Sequence, residues 1–265
     1  MTEAKKRILL LGNGINNLEN NDKTSWENLI ISKMSSEQKG KFCDENQRLK
    51  KDVPFPLLYE VLNNQKNKDF QFLKNMTKSN LISLIWKKYD IVLTTNFTDE
   101  LELTDIGIWE NGNKSETKYN LHRTRKCANK TIWYIHGYLG RPKSVILGFS
   151  DYTEQAAEIR TYFGKTNEKK NDSWVNFFIT HDIDIVGFSF DYYESDLWYV
   201  LSERKKKSLE LQNKIRYFDL PISNKNSQKF TKKQIFQQMK VEFIEIPNFS
   251  DYNSDYYKKI FSEKY

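Results

Sequence analysis

The feature that most constrains this sequence is a series of short apolar runs separated by amphipathic segments. The first run, Ile8–Leu11, is apolar at every position, which is typical of a strand covered on both faces. Further strands are predicted at residues 89–95, 131–135, 144–149, 182–186, 214–220 and 241–247. This alternation predicts an α/β fold of the Rossmann-like kind, a doubly wound and mostly parallel sheet.

The segments between the strands carry helical periodicity. A helix is expected to open at Thr24 or Ser25, which are suitable N-cap residues, and others at residues 55–62, 80–88, 152–163, 173–180, 194–207, 230–239 and around 257. The sequence predicts a helical insertion at about 40–88 and a polar insertion at about 105–130. No Pro/Ser-rich linker divides the chain, so a single domain over residues 1–265 is expected.

Composition limits the class of protein. The 42 basic and 35 acidic residues give a net charge of +7, which either attracts phosphates or, as the more common case, reflects a solvated lysine-rich surface. Cys43 and Cys127 form no C-x-x-C pair, so a four-cysteine zinc site is excluded and no metal is expected. No apolar run approaches the roughly 20 residues that cross a bilayer. We therefore expect a cytoplasmic protein with free thiols and no membrane association.

Unusual polar loops follow four of the predicted strands. They are residues 12–16, 95–99, 136–137 and 187–189. In an open parallel sheet the carboxyl ends of the strands line one crevice, and ligands bind where the strand order reverses. The four loops are therefore predicted to converge on one ligand site.

Each loop residue has a structural and a functional interpretation. Gly12 and Gly14 either make a tight strand–helix turn or bring backbone N–H groups close to a phosphate. Asn96 either hydrogen-bonds its own turn or holds ribose hydroxyls or a water. A lone histidine such as His136 is more often structural than catalytic. Asp196 either caps the following helix or binds a ribose hydroxyl.

Taken in order, these loops resemble the sirtuin-like NAD-binding domains of bacterial phage-defence proteins and the related abortive-infection AbiH-type family. The resemblance rests on Gly12-Asn13-Gly14-Ile15-Asn16, Thr94-Thr95-Asn96-Phe97, Ile135-His136-Gly137 and Gly187-Phe188-Ser189. It implies that Asn96 holds the ribose or the attacking water and that His136 is the general base. The residues that it implies for contacting the dinucleotide are Gly12, Asn13, Gly14, Asn16, Thr95, Asp99, Gly187, Ser189 and Asp196.

The chain departs from the family patterns at several positions. Without four cysteines it lacks the zinc module of protein-deacetylating sirtuins, which disfavours peptide deacylation. Asp99 stands one residue later than the sirtuin acidic residue, because Thr98 occupies that place, and Asn16 stands where AbiH-type chains often have Asp.

The resemblance implies an NAD+ hydrolase that releases nicotinamide and ADP-ribose in antiphage defence. The alternative is a subunit that binds NAD+ or ADP-ribose without cleaving it. A third hypothesis is nucleic-acid binding through residues 122–126 and 204–207. Restraint of a toxic NADase would require a homo-oligomer or a regulatory partner. The aromatic residues near the end (Tyr252, Tyr256, Tyr257 and Phe261) either form a self-association surface or the inner face of the last helix.

Overall fold

The computed structural model describes residues 7–20, 26–50, 53–62, 79–102, 108–110, 121–164, 173–207, 212–224 and 227–263. The strands in these residues are β1 (Ile8–Leu11), β2 (Ile91–Thr94), β3 (Ile108–Glu110), β4 (Thr124–Cys127), β5 (Lys130–Tyr134), β6 (Ile183–Val186), β7 (Ile215–Asp219) and β8 (Val241–Glu245). They form one sheet in the order β3-β4-β5-β2-β1-β6-β7-β8. The six strands from β5 to β8 in this order pair in parallel, and β4 and β3 extend the sheet antiparallel at one edge.

Helices cover the sheet on both sides. They are α1 (Gly14–Asn20), α2 (Trp26–Lys33), α3 (Ser36–Phe42), α4 (Phe55–Val61), α5 (Ile82–Lys88), α6 (Phe149–Gly164), α7 (Trp174–Thr180), α8 (Ser195–Lys206), α9 (Gln228–Gln238) and α10 (Ser254–Ser262). The predicted doubly wound α/β fold is confirmed. Across the described ranges, no helix has both the length and the apolar character needed to cross a membrane.

The residues of β1 alternate between two separate cores. Ile8 and Leu10 pack into a cluster built from α6 to α9, and Leu9 and Leu11 pack into a cluster built from α5 and α10. All four are buried, which confirms that this apolar run is a strand covered on both faces. The helices α2 and α4 contribute to a third cluster, in which Ile30 and Leu58 are buried.

The last helix uses its aromatic residues internally. Tyr256, Tyr257 and Phe261 lie on one face of α10. They are buried in the same cluster as Leu9 and Leu11 of β1. Only Tyr252 of the four terminal aromatic residues is substantially exposed. The inner-face interpretation is therefore correct for the three residues on α10.

Two segments differ from the predictions. Residues 144–149 do not form a strand: Pro142–Ser144 is a 3-10 turn, and α6 begins at Phe149. The buried run Val145, Ile146 and Leu147 instead packs beside the loop after β5, where the Ile146 N–H donates to the His136 carbonyl.

In the predicted polar insertion, residues 108–110 and 124–127 are strands β3 and β4. The predicted cap at Thr24–Ser25 lies outside the described residues.

One arginine in each of the two basic segments, residues 122–126 and 204–207, is turned into the protein. The buried Arg204 donates to the carbonyls of Phe178 and Asn213. Arg125 is also buried, and its guanidinium forms a bidentate pair with Glu102 at 2.7 Å. These two cations are therefore engaged inside the protein, whereas Lys126, Lys205 and Lys206 are exposed.

Candidate functional site

A cleft lies at the carboxyl ends of the parallel strands, where the strand order reverses. β1 connects onward to β2 on one side, and β6 returns to pair with β1 on the other. The cleft has a volume of about 320 Å³ and is lined by Asn13 and Gly14 after β1, by Thr95 after β2, and by Gly187 and Ser189 after β6. Three of the four predicted loops therefore meet at one site, as expected for this topology.

The fourth loop lies next to the cleft. His136 lines a much smaller void of about 10 Å³. Thr95, Tyr193 and Glu194 line both the void and the cleft, so they form the wall between them. In this conformation His136 is separated from the cleft by that wall.

The glycines of the first loop are required by a close approach of backbones. The Gly12 N–H donates to the Val186 carbonyl at 3.0 Å, and the Gly14 N–H donates to the Gly187 carbonyl at 2.8 Å. A Cβ on Gly12 would lie 2.5 Å from the Cα of Phe188 and still closer to the Gly187 carbonyl oxygen. These two N–H groups are used within the protein, which favours the tight-turn interpretation over a phosphate cradle at Gly12 and Gly14.

A buried carboxylate that the sequence did not single out organises the first two loops. Asn16 is buried and donates to Glu100 Oε1 at 2.9 Å, and Thr98 donates to Glu100 Oε2. Burial raises the pKa of Glu100, and the hydrogen bond from Asn16 opposes that rise. Asp99, the predicted ligand residue, is exposed and lines neither cavity. The buried acid is Glu100, the next residue in the chain. The Asn16 side chain donates a hydrogen bond to it and does not line the cleft.

Asn96 connects the second loop to the first. Its backbone N–H donates to Thr94 Oγ1 at 3.0 Å, and its Nδ2 donates to the Gly12 carbonyl at 3.3 Å. Its Oδ1 is buried and has no hydrogen-bond partner among the described residues. Asn96 lines neither cavity. Its amide therefore holds the turn, while one acceptor oxygen remains unused.

His136 belongs to a buried acid–histidine group. Its Nε2 lies 2.9 Å from Asp196 Oδ2 and 3.7 Å from Glu194 Oε2. Burial by itself would lower the pKa of His136, but the charges of Asp196 and Glu194 outweigh it and raise that pKa. The ring stands edge-on to Tyr152, with centroids 5.3 Å apart. Within the described part of the chain, Nδ1 makes no hydrogen bond.

Asp196 is the hydrogen-bond partner of this histidine, and it lines neither cavity. It is the second residue of α8 and is fully buried, and its Oδ2 also accepts from Gln155 Nε2 at 2.6 Å. Sequence reasoning missed Gln155, which carries no signal beyond lying on an amphipathic helix. It also missed Glu194, for which the only signal was its place two residues before Asp196.

The donor atoms of His136, Glu194 and Asp196 lie within 4.8 Å of one another, a spacing compatible with a metal ion. However, the 2.9 Å between His136 and Asp196 is a hydrogen-bond length, and the Gln155 amide donates to the same carboxylate oxygen. In the structure the three residues are therefore connected by a hydrogen bond between His136 and Asp196, while Asp196 Oδ1 and Glu194 Oε2 are buried without a hydrogen-bond partner among the described residues. Cys43 and Cys127 are both buried and are not joined in a disulfide.

The lining of the cleft is acidic. It includes the carboxylates of Glu27, Asp191, Glu194 and Asp219, and no lysine or arginine lines it among the described residues. The nearby Lys229 is held by Asp219 at 2.9 Å. The net charge of +7 is therefore not concentrated at this site. The lining suits a ligand with hydroxyl donors or a positive charge more than a polyanion.

No family model matches the chain, and no curated protein is similar to it at a significant level.

Proposed function

We propose that this protein is an NAD+ hydrolase that releases nicotinamide and ADP-ribose, acting as an antiphage defence effector. The observation that carries the proposal is the cleft between the β1 and β6 loops, with a buried histidine and two carboxylates beside it. A dinucleotide-sized ligand binds at such a reversal point in open α/β sheets. The defence role rests on the resemblance of the four loops to sirtuin-like and AbiH-type proteins.

The chemistry of the cleft is compatible with this substrate. The nicotinamide ring of NAD+ is positively charged, and its departure leaves an oxocarbenium-like centre on the ribose. Carboxylates at Glu27, Asp191 and Asp219 would stabilise the positive charge that develops on the ribose and accept hydrogen bonds from its hydroxyls. This acidic lining therefore fits the nicotinamide ribose of NAD+ rather than its pyrophosphate. Because nicotinamide leaves as a neutral molecule, the site must activate a water rather than protonate the leaving group. The acid–histidine group supplies a base for that step.

Asn96 contributes a buried acceptor. Its free Oδ1 would hold the attacking water or a ribose hydroxyl once the wall at Thr95 opens. This role requires a movement of the second loop, because Asn96 lines neither cavity.

The proposal is tested by incubating the purified protein with NAD+ and quantifying nicotinamide and ADP-ribose by chromatography. We expect turnover in the wild type and a loss of roughly 10²–10⁴-fold in His136→Ala, the range typical of acid–base groups. Asn96→Ala should also be impaired. His122→Ala is the matched control, because His122 is exposed and lines neither cavity. Equal turnover in all variants would refute the proposal.

A second candidate is binding of NAD+ or ADP-ribose without cleavage. The wall of Thr95, Tyr193 and Glu194 between His136 and the cleft favours it. This function predicts a rise in melting temperature with ADP-ribose, because a ligand that binds only the native state stabilises it, and no product from NAD+. We further propose that self-association or a regulatory partner opens the wall. In that case specific activity should rise with protein concentration.

A further inference from the structure

We propose that Glu194 is the base of this site that contacts the attacking water, and that His136 and Asp196 act through it as positioning residues. This inference rests on the proposed function. It changes which member of the acid–histidine group meets the substrate.

Glu194 is the member of the group that reaches the cleft. It lines both the cleft and the small void, whereas His136 lines the void and Asp196 lines neither. A base must be within hydrogen-bond reach of the proton that it takes, directly or through one water. Glu194 meets this condition for a ligand in the cleft, because its side chain already lines the cleft.

Helix capping does not explain Glu194. The residue stands at the N-cap of α8, but its side chain makes no capping hydrogen bond. Its Oε2 is buried and has no hydrogen-bond partner among the described residues. A buried acceptor without a partner is costly and is rare in folded proteins. A water or ligand hydroxyl supplied from the cleft would satisfy that oxygen.

The surroundings adjust the basicity of this carboxyl. The pKa of Glu194 is raised to about 8, with burial as the main cause; the charge of His136 lowers it and that of Asp196 raises it. Asp191 also raises it, and hydrogen bonding from Tyr152 lowers it. A base is most effective when its pKa lies near the working pH. His136, held 2.9 Å from Asp196, therefore opposes the rise that burial and the neighbouring acids cause in the pKa of this carboxyl.

The proposed step is balanced. The water oxygen forms a bond to C1′ of the nicotinamide ribose as the bond from C1′ to the ring nitrogen breaks, and that electron pair leaves with neutral nicotinamide. Ionised Glu194 takes one proton from the water and later releases it to solvent. The products are ADP-ribose, nicotinamide and one proton.

The test compares NAD+ hydrolysis by the wild type, Glu194→Gln and the control Glu158→Gln, with thermal unfolding as a check of folding. Glu158 is exposed on α6 and lines neither cavity. We expect kcat to fall about 10²–10⁴-fold in Glu194→Gln and to be unchanged in the control. Retained turnover in a folded Glu194→Gln protein would overturn this inference while leaving the proposed function standing. Absence of turnover in the wild type would overturn both.

The pH profile separates Glu194 from His136 and does not depend on the glutamine variant folding. In the wild type, kcat/KM should rise with pH up to about 8 as Glu194 ionises. In His136→Asn, loss of the positive ring should move that rise to higher pH. If His136 is itself the base that meets the water, His136→Asn should instead abolish the rise. A flat wild-type profile between about pH 6 and 9 would also overturn the assignment.

Discussion

A buried ion pair in the sheet allows the fold to be tested separately from the site. Asp184 on β6 is fully buried, and its Oδ1 accepts from Arg216 Nε on β7 at 2.8 Å. Its Oδ2 accepts from the Tyr89 hydroxyl at 2.7 Å, and Arg7 lies 3.9 Å away. Tyr89 and Arg7 each stand just before a strand. This network therefore lies toward the amino ends of the strands, opposite the cleft.

The expected cost of Asp184→Asn follows from this burial. The substitution removes the negative charge and leaves the Arg216 guanidinium, which is only 7% exposed, without its main counterion. Removing one partner of a buried ion pair typically costs about 3–5 kcal/mol. In a chain of this size each kcal/mol lowers the melting temperature by roughly 2–4 °C. Asp184→Asn should therefore melt roughly 6–20 °C below the wild type.

Denaturant unfolding followed by circular dichroism measures this loss. The matched control is the double variant Asp184→Leu with Arg216→Met, which removes both charges and should lose less stability than the sum of the two single variants. The affinity of the folded protein for ADP-ribose should be unchanged in Asp184→Asn. A loss below about 1 kcal/mol, the value of an exposed pair, would refute the assignment of this pair as buried and essential.

Three other predictions concern the loops, the acid–histidine group and the thiols. Gly12→Ala should lose about 1–3 kcal/mol in thermal unfolding because its Cβ would overlap the backbone of the β6 loop; Gly40→Ala, where a Cβ meets nothing within 4 Å, should lose none. Because the pKa of Glu194 is raised in the folded protein, the unfolded chain loses the Glu194 proton at a lower pH than the folded chain does. The free energy of unfolding should therefore fall as pH rises from about 4.5 to 8, and Glu194→Gln should flatten that slope in denaturant titrations at several pH values. Cys43 and Cys127 are both buried, and burial raises the pKa of Cys43. Neither should react with a thiol reagent before unfolding, and rapid labelling of the native protein would contradict their burial.

The local pattern of apolar and polar residues was sufficient to predict the sheet and the edge of the sheet at which the cleft lies. An apolar run such as Ile8–Leu11 must be covered on both faces, and the alternation of such runs with amphipathic segments left a doubly wound sheet as the economical arrangement. Loops at the carboxyl ends of parallel strands must share one edge, so the convergence of the first, second and fourth loops was already implied. Where local pattern was ambiguous the prediction was wrong, as for residues 144–149, whose apolar residues pack under a loop instead of pairing in the sheet.

The partners of the polar groups depended on tertiary structure. His136 and Asp196 are 60 residues apart and Gln155 and Asp196 are 41 apart, so no spacing in the sequence indicated their contact. The sequence favoured the exposed Asp99, and only the packing distinguished it from the buried Glu100 next to it. Likewise, Gly12 had two interpretations until the β6 loop was seen against it. Apolar periodicity is a local property that a sequence displays directly, whereas burial of a charge and the choice of its partner arise only when distant segments come together.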